Sequence, residues 1–265
     1  MKIAFSNIAW ERHDDSSVLS LLRHRGVTGI EVAPTRVWPE WEGATIGAAQ
    51  QYRGRLRECG FEVPALQAVL FGQAEARLFA EDRAAAFVSH LSLVAEIASA
   101  LGARVAVLGA PKHRDRGCLS MEEASDRATE VFYRLGEVFS SCDTCLCIEP
   151  NPRRYACNFI INTKEAAALV RRVNHRGFGL HLDAAAMFLE GEDLGQAWAE
   201  VGDLVRHFHI SEPDLGDFCS PQVPHRRNLD ILRSHCYAGW CSVEMREPSR
   251  PLSESGPWAL LDGVA

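Results

Sequence analysis

Four side chains able to hold a metal ion stand at the ends of four apolar runs in the second half of the chain. LCIEPNP presents Glu149, LHLDAAAM presents Asp183, VRHFHISEP presents His209 and CSVEMREP presents Glu244. Each run is short and aliphatic, so each is read as a strand, in which alternate side chains face opposite sides. In that register Ile148, Leu182, Phe208, Ile210, Val243 and Met245 face one way and the four polar residues face the other. Two Glu, one Asp and one His form an oxygen-rich donor set suited to one divalent cation. Mn²⁺, Mg²⁺ and Co²⁺ fit it best, and Zn²⁺ is also compatible. Three carboxylates gathered without a cation would repel and raise one another's pKa. Any one of these residues alone reads as a rim residue satisfied by local hydrogen bonds, as an isolated Asp at a strand end is usually a helix cap. Four at matched ends of successive runs read as a site.

Other residues fall close to the same strand ends. The fourth strand runs into GAPKHR, which places Lys112 and Arg114 on the adjoining loop, either to hold a substrate carboxylate or phosphate or as a solvated basic loop. Glu31 faces inward at the end of the second strand, open to a substrate contact or a structural ion pair. His181 and His207 lie two residues before Asp183 and His209 and face inward one layer deeper. They read as supporting or core histidines, with His181 also a candidate for contact with substrate. Trp10, Trp38 and Phe71 fall on rim loops, where they either wall a pocket or simply pack. Cys142, Cys145 and Cys147 have partial zinc-like spacing, but no second cysteine pair follows, so they read as small core residues.

The elements that must position these groups repeat regularly. Eight strand candidates, Lys2–Ser6, Gly29–Val32, Val63–Val69, Arg104–Leu108, Thr144–Ile148, Gly179–Asp183, Val205–Ile210 and Trp240–Met245, alternate with segments of helical period such as Asp82–Leu101 and Met121–Ser140. Ser120 and Glu123 offer a capping box. Gly26, Gly60, Gly102, Gly177 and Gly239 each precede a strand, where a left-handed glycine can end a helix. Eight βα units in 265 residues predict an α/β fold, a single (β/α)8 barrel domain over residues 1–265, with the strand-end residues at its C-terminal mouth. After Glu247 there is room only for a short or irregular final helix, which could also pack against a second copy in a homodimer.

Composition narrows the function classes. A formal charge of −7 disfavours a surface that neutralises phosphate backbones, so no nucleic-acid partner is expected. MKIAFSNIAW soon meets Glu11, Arg12, His13 and Asp14 and reads as a first strand rather than a leader. No run is read as long enough to cross a membrane. The nine cysteines are spread along a chain large enough to fold without staples, and read as reduced thiols in a cytoplasmic protein.

From the IEVAP segment of the second strand to EMREP at the eighth, the chain resembles the xylose isomerase-like, sugar phosphate isomerase/epimerase barrels. That superfamily includes ketose 3-epimerases, hydroxypyruvate isomerases, inosose dehydratases and endonuclease IV enzymes, and the most specific match is the Glu, Asp, His, Glu order on strands five to eight. The resemblance implies that Glu149, Asp183, His209 and Glu244 bind the metal and that Glu149 and Glu244 also exchange a proton with a sugar. Such chemistry needs a cation, because a proton beside a carbonyl is too weakly acidic for a carboxylate alone. Return of the proton to the same or the opposite face gives isomerisation or epimerisation, a choice the sequence leaves open. Glu212 matches a family position that contacts a substrate hydroxyl, and it could equally orient His209.

Three positions depart from the ketose 3-epimerases. Ala186, Leu215 and Tyr155 stand where those enzymes carry a histidine, an arginine and a glutamate. Their loss implies a substrate that is less hydroxylated, acidic or more specialised than a free ketohexose. The expected activity is isomerisation or epimerisation of a sugar-like or acidic α-hydroxy carbonyl compound. The alternatives are an inosose dehydratase-type lyase, a non-catalytic sugar-binding protein and, least favoured because the early strands offer chiefly Glu31, endonuclease-like chemistry.

Overall fold

The structure, a computed structural model, describes residues 1–262. Eight parallel strands form a near-closed barrel: β1 Lys2–Ser6, β2 Gly29–Glu31, β3 Ala65–Leu66, β4 Val105–Leu108, β5 Cys145–Ile148, β6 Phe178–Asp183, β7 Val205–Ser211 and β8 Trp240–Glu244. Seven neighbouring pairs form parallel ladders. Between β2 and β3 the barrel is completed by single bridges, Gly29 with Glu62 and Val32 with Leu66. The expected third strand shortens accordingly, because at this seam Val32 N donates to Ala65 O and Gln67 N to Val32 O without a continuing ladder.

Alternation sorts the side chains as the period requires. Ile148, Leu182, Phe208, Ile210, Val243 and Met245 join the main core between sheet and helices. Ala65, Val105, Val107, Cys145 and Cys147 form a separate cluster inside the barrel. The cysteines at 145 and 147 are therefore interior filling, as their strand context suggested. At Gly179 an added Cβ would crowd the Arg206 side chain and Cys145 Sγ, so the interior there has no room for a larger residue.

The expected helices form at Ala84–Leu101 and Met121–Ser141, the latter opened by the Ser120–Glu123 capping box. Ala84–Leu101 is long and apolar enough to cross a membrane by length and composition, which corrects the expectation that no run qualifies. In the fold its apolar character has another cause. Phe87, Leu91, Val94, Ile97, Ala98 and Leu101 are buried against the barrel and neighbouring helices. Gly26, Gly60 and Gly102 adopt the left-handed conformation, but Gly177 and Gly239 do not. Gly177 is needed instead for close packing, since a Cβ there would strike the backbone of Gly136.

The closing segment is short and irregular, with helical turns at Leu252–Ser255 and Trp258–Leu261. Trp258 stacks on Phe5 of β1 with ring centroids 5.7 Å apart, and its indole N–H donates to Leu252 O. This covers the outer face of β1, where a longer eighth helix would otherwise lie.

Candidate metal centre and pocket

Strand pairing brings the late residues together. Asp183 lies beside His209, His209 beside Ser242, and Ser211 beside Glu244. The β6–β7 register contains one irregularity. Leu180 pairs with Val205 but His181 pairs with His207, leaving Arg206 as an extra residue. A one-residue slip turns a strand's side chains to the opposite face. The bulge thus sets His207 and His209 in phase with His181 and Asp183.

His209 is the centre of the cluster. Its Nδ1 lies 3.1 Å from Glu244 Oε2, 3.7 Å from Asp183 Oδ2 and 3.9 Å from Glu149 Oε1. Its Nε2 lies 3.1 Å from both oxygens of Glu31. With the Nε2 proton given to Glu31, Nδ1 turns a lone pair toward three carboxylates, which are also acceptors. Nδ1 is buried and has no hydrogen-bond partner. Acceptors converging on an acceptor are satisfied by a proton or a metal ion, and the donor set of oxygen and imidazole matches a divalent cation. Glu149, His181, Asp183 and His209 offer ligand atoms all within 4.8 Å of one another. The buried cluster is therefore consistent with a divalent metal site.

The electrostatics show the same crowding. Burial, then the charges of Asp183 and Glu244, raises Glu149 to about 8. Burial and the charge of Glu244 raise Asp183 to about 6. Burial would lower His209, but the charges of Glu31 and Glu244 prevail and hold it well above the usual imidazole range. For Glu31, burial acts upward and is outweighed by His209 and His207, so its carboxyl lies well below the usual range.

Each ligand candidate is held by its own neighbours. Asp183 accepts from Ala186 N at 2.6 Å and from the Ser211 hydroxyl, so its strand-end position also caps the helical turn Ala184–Leu189. Asn151 Nδ2 donates to Glu149 Oε2 at 3.1 Å. Across from it Gly109 leaves room for that oxygen, since a Cβ at this position would collide with it. Ser211, Asn151 and Gly109 were not singled out from sequence. Ser211 and Asn151 each sit two residues beyond a ligand candidate, a spacing that could have flagged them.

The other sequence candidates divide. Lys112 lines the pocket, exposed and without an ion pair among the described residues. Arg114 does not reach the pocket and is corrected from a substrate contact to a clamp. It is 1% exposed, and it donates to Phe159 O, Leu108 O, Gly109 O, Glu149 O and Asn151 Oδ1. Glu212 is likewise turned away. It accepts from Gln222 N, Val223 N and His225 Nε2, which fixes a loop and leaves His209 to Glu31. Glu31 is fully buried between His207 and His209, so the ion-pair alternative applies rather than the substrate contact. His181 lies in the ligand group itself, Nε2 3.5 Å from Glu149 Oε1, and neither ring nitrogen has a hydrogen bond. His207 donates to or accepts from Ser242 Oγ at 2.9 Å.

A pocket of about 400 Å³ opens over this cluster. Glu149, His209 and Glu244 face it, together with Gln67, Val107, Tyr155 and residues of the loops after β3 and β4. Trp10 is buried and Trp38 packs edge-on against Tyr52, whereas Phe71 stands on the pocket wall. Of the three departures, Tyr155 lines the pocket and its hydroxyl accepts from Asp214 N. Ala186 contributes its backbone N–H to Asp183.

Residues 19–260 match the family model described as xylose isomerase-like TIM barrel. No curated protein matches the chain in sequence. Among solved structures, the apo form of 3-keto-D-glucoside 4-epimerase from E. coli superposes with TM-score 0.80 at 18% identity, over 100% of this chain and 98% of that one. An L-ribulose 3-epimerase gives 0.77 at 20% identity, over 99% and 86%. A probable 3-DHS dehydratase from Bacillus anthracis gives 0.69 at 14%, over 92% of each chain. At these identities the likeness shows a shared fold.

Proposed function

The chain belongs to the xylose isomerase-like TIM-barrel family, and from that premise we propose that it is a divalent-metal-dependent enzyme that isomerises or epimerises a sugar-like α-hydroxy carbonyl compound. One observation carries the reading. Three carboxylates meet at an unpartnered imidazole nitrogen on the wall of a ligand-sized pocket. Glu149, Asp183, His209 and Glu244 would hold a divalent cation, which would supply positive charge to stabilise negative charge developing on substrate oxygens.

The chain's own groups divide the remaining work. Glu149 and Glu244 line the pocket and Asp183 does not, so the two glutamates are the carboxylates that reach a substrate carbon and move its proton. Asp183, bonded to Ala186 N and Ser211, serves as a fixed ligand. Asn151 holds Oε2 of Glu149, which leaves Oε1 directed at His181 and His209. Glu31 fixes the ring of His209 and directs its Nδ1 to the site. The oxygen-rich donor set favours Mn²⁺, Mg²⁺ or Co²⁺, and Lys112 on the pocket wall suits an acidic group on the substrate.

Elemental analysis of the purified protein tests the metal, with stoichiometric Mn, Co, Mg or Zn expected in the wild type and lost in Glu149→Gln and Glu244→Gln. Uptake of solvent deuterium into α-hydroxy carbonyl compounds tests the chemistry. Bound cation with no exchange into any such compound would reduce the protein to a binding module. Loss of water from the product would make it a lyase.

A further inference from the structure

Phe71 is 68% exposed, the largest exposure of any large apolar side chain among the described residues, and it lies on the pocket wall. An exposed ring is unremarkable on a loose loop, but this loop is braced. Trp41 Nε1 donates to Phe71 O at 2.8 Å, His90 Nε2 contacts Val69 O at 2.7 Å, and Trp41 packs edge-on against His90 with centroids 4.4 Å apart. Gln67 donates to Ser6 Oγ at 2.6 Å and anchors the loop at its base. The chain reaches Phe71 through Ala68, whose φ of +52° is uncommon for a residue with a Cβ and carries a local cost. Buried donors and a strained turn hold a phenyl ring where water, the least favourable neighbour for it, would otherwise cover it.

The surroundings give the ring a purpose. β3 and β4 stand across the barrel from β7 and β8 in the strand order. His209 and Glu244 therefore mark one side of the pocket, and Glu149, at the end of β5, sits between them and the β4 loop. On the loops after β3 and β4, Val69, Leu70, Phe71, Ala110 and Pro111 form an apolar patch, bordered by Gln67, Lys112 and His113. Its volume of about 400 Å³ falls in the range, roughly 300–1,000 Å³, of pockets that enclose drug-sized ligands. The patch itself presents no side-chain partner for a sugar hydroxyl, so an apolar group is its better match.

We propose that the substrate is a sugar-like α-hydroxy carbonyl compound bearing an apolar substituent, as in an aryl or alkyl glycoside that carries a ring ketone, and that Phe71 receives this substituent while the polar end meets the two glutamates. The inference rests on the reading of the site as a sugar-directed metal centre only for the identity of the polar end. The apolar end stands on the braced loop. Phe71 is on this account a specificity-determining residue.

The test is equilibrium binding of matched methyl and phenyl β-glycosides of glucose, galactose and mannose, each oxidised to the ketone at carbon 3, to the Mn²⁺-supplemented protein, in the wild type, Phe71→Ala and Phe71→Leu. At least one phenyl glycoside is expected to bind about tenfold more tightly than its methyl partner, the scale of a ring's apolar burial and aromatic contact. Phe71→Ala should remove that preference and Phe71→Leu restore part of it, with unchanged melting temperatures because the ring packs little against the fold. Equal affinity within every pair, no binding of any glycoside, or a preference that survives Phe71→Ala would overturn the proposal. Cation binding measured on the same samples separates the two readings. Bound cation without a phenyl preference defeats this inference alone, and a phenyl preference without bound cation defeats the metal reading alone.

Discussion

Replacing Glu149 by Gln should change stability in opposite directions with and without a divalent cation. In the metal-free protein the Glu149 carboxyl holds its proton to about pH 8, against an ordinary value of 4.5. At about 1.4 kcal/mol per pH unit, that difference sets a ceiling of about 5 kcal/mol. Part of it is shared with Asp183, which is raised by the same crowding, and 13% of the Glu149 side chain is exposed. About 2–3 kcal/mol is the working figure after that discount. The sign follows from linkage. The folded state binds the proton more tightly than the unfolded state, so this stability is complete below about pH 4.5 and is lost as pH rises through about 8. Gln has no proton to lose and removes one of the three negative charges. In chelator at pH 8, Glu149→Gln should therefore melt about 5 °C above the wild type. With Mn²⁺ at a thousand times its dissociation constant, the wild type gains about 4.1 kcal/mol by mass action and the variant gains little, so the order reverses. Thermal denaturation followed by circular dichroism between pH 5 and 8, in EDTA and in MnCl₂, measures both effects. A variant that melts below the wild type in EDTA, or a Mn²⁺ shift of equal size in both proteins, would refute the account of the site as a carboxylate cluster relieved by a cation.

Glu31→Gln leaves the fold but loosens the ring of His209, and cation affinity measured by titration calorimetry should fall roughly 10–100-fold. Gly109→Ala should displace the Glu149 carboxylate, so deuterium exchange into a substrate should slow about a hundredfold while the melting temperature moves little. Arg114→Met strips the donors from carbonyls of the β4 and β5 loops. It should destabilise the protein by about 3 kcal/mol or more in urea denaturation. Glu212→Gln should cost stability through its loop contacts yet leave cation affinity unchanged.

Much of the scaffold was legible because its signals are local. A parallel strand buried on both faces shows as a short aliphatic run, a helix start as Ser120 with Glu123, a helix end as Gly26, Gly60 or Gly102. The same period of two that marks a strand also assigns faces. Glu149, Asp183, His209 and Glu244 could thus be grouped before any pairing was known. Where local signals had two outcomes, the fold chose. Gly177 serves close packing rather than a left-handed cap, and the apolar stretch Ala84–Leu101 is a core helix of the barrel.

What tertiary structure alone decided were the contacts between residues far apart in sequence. Strict alternation from Val205, which pairs with the outward Leu180, would turn His209 away from Asp183. The extra residue Arg206 restores the phase, and such a bulge exists only relative to a partner strand. Glu31 reaches His209 across 178 positions because the barrel closes, and this contact leaves the other imidazole nitrogen facing the carboxylates. Arg114 and Glu212 were drawn away from substrate for the same physical reason. A buried charge must be paired or hydrogen-bonded, and only the folded chain reveals that unpaired loop carbonyls for Arg114, and backbone N–H groups with His225 for Glu212, lie within reach.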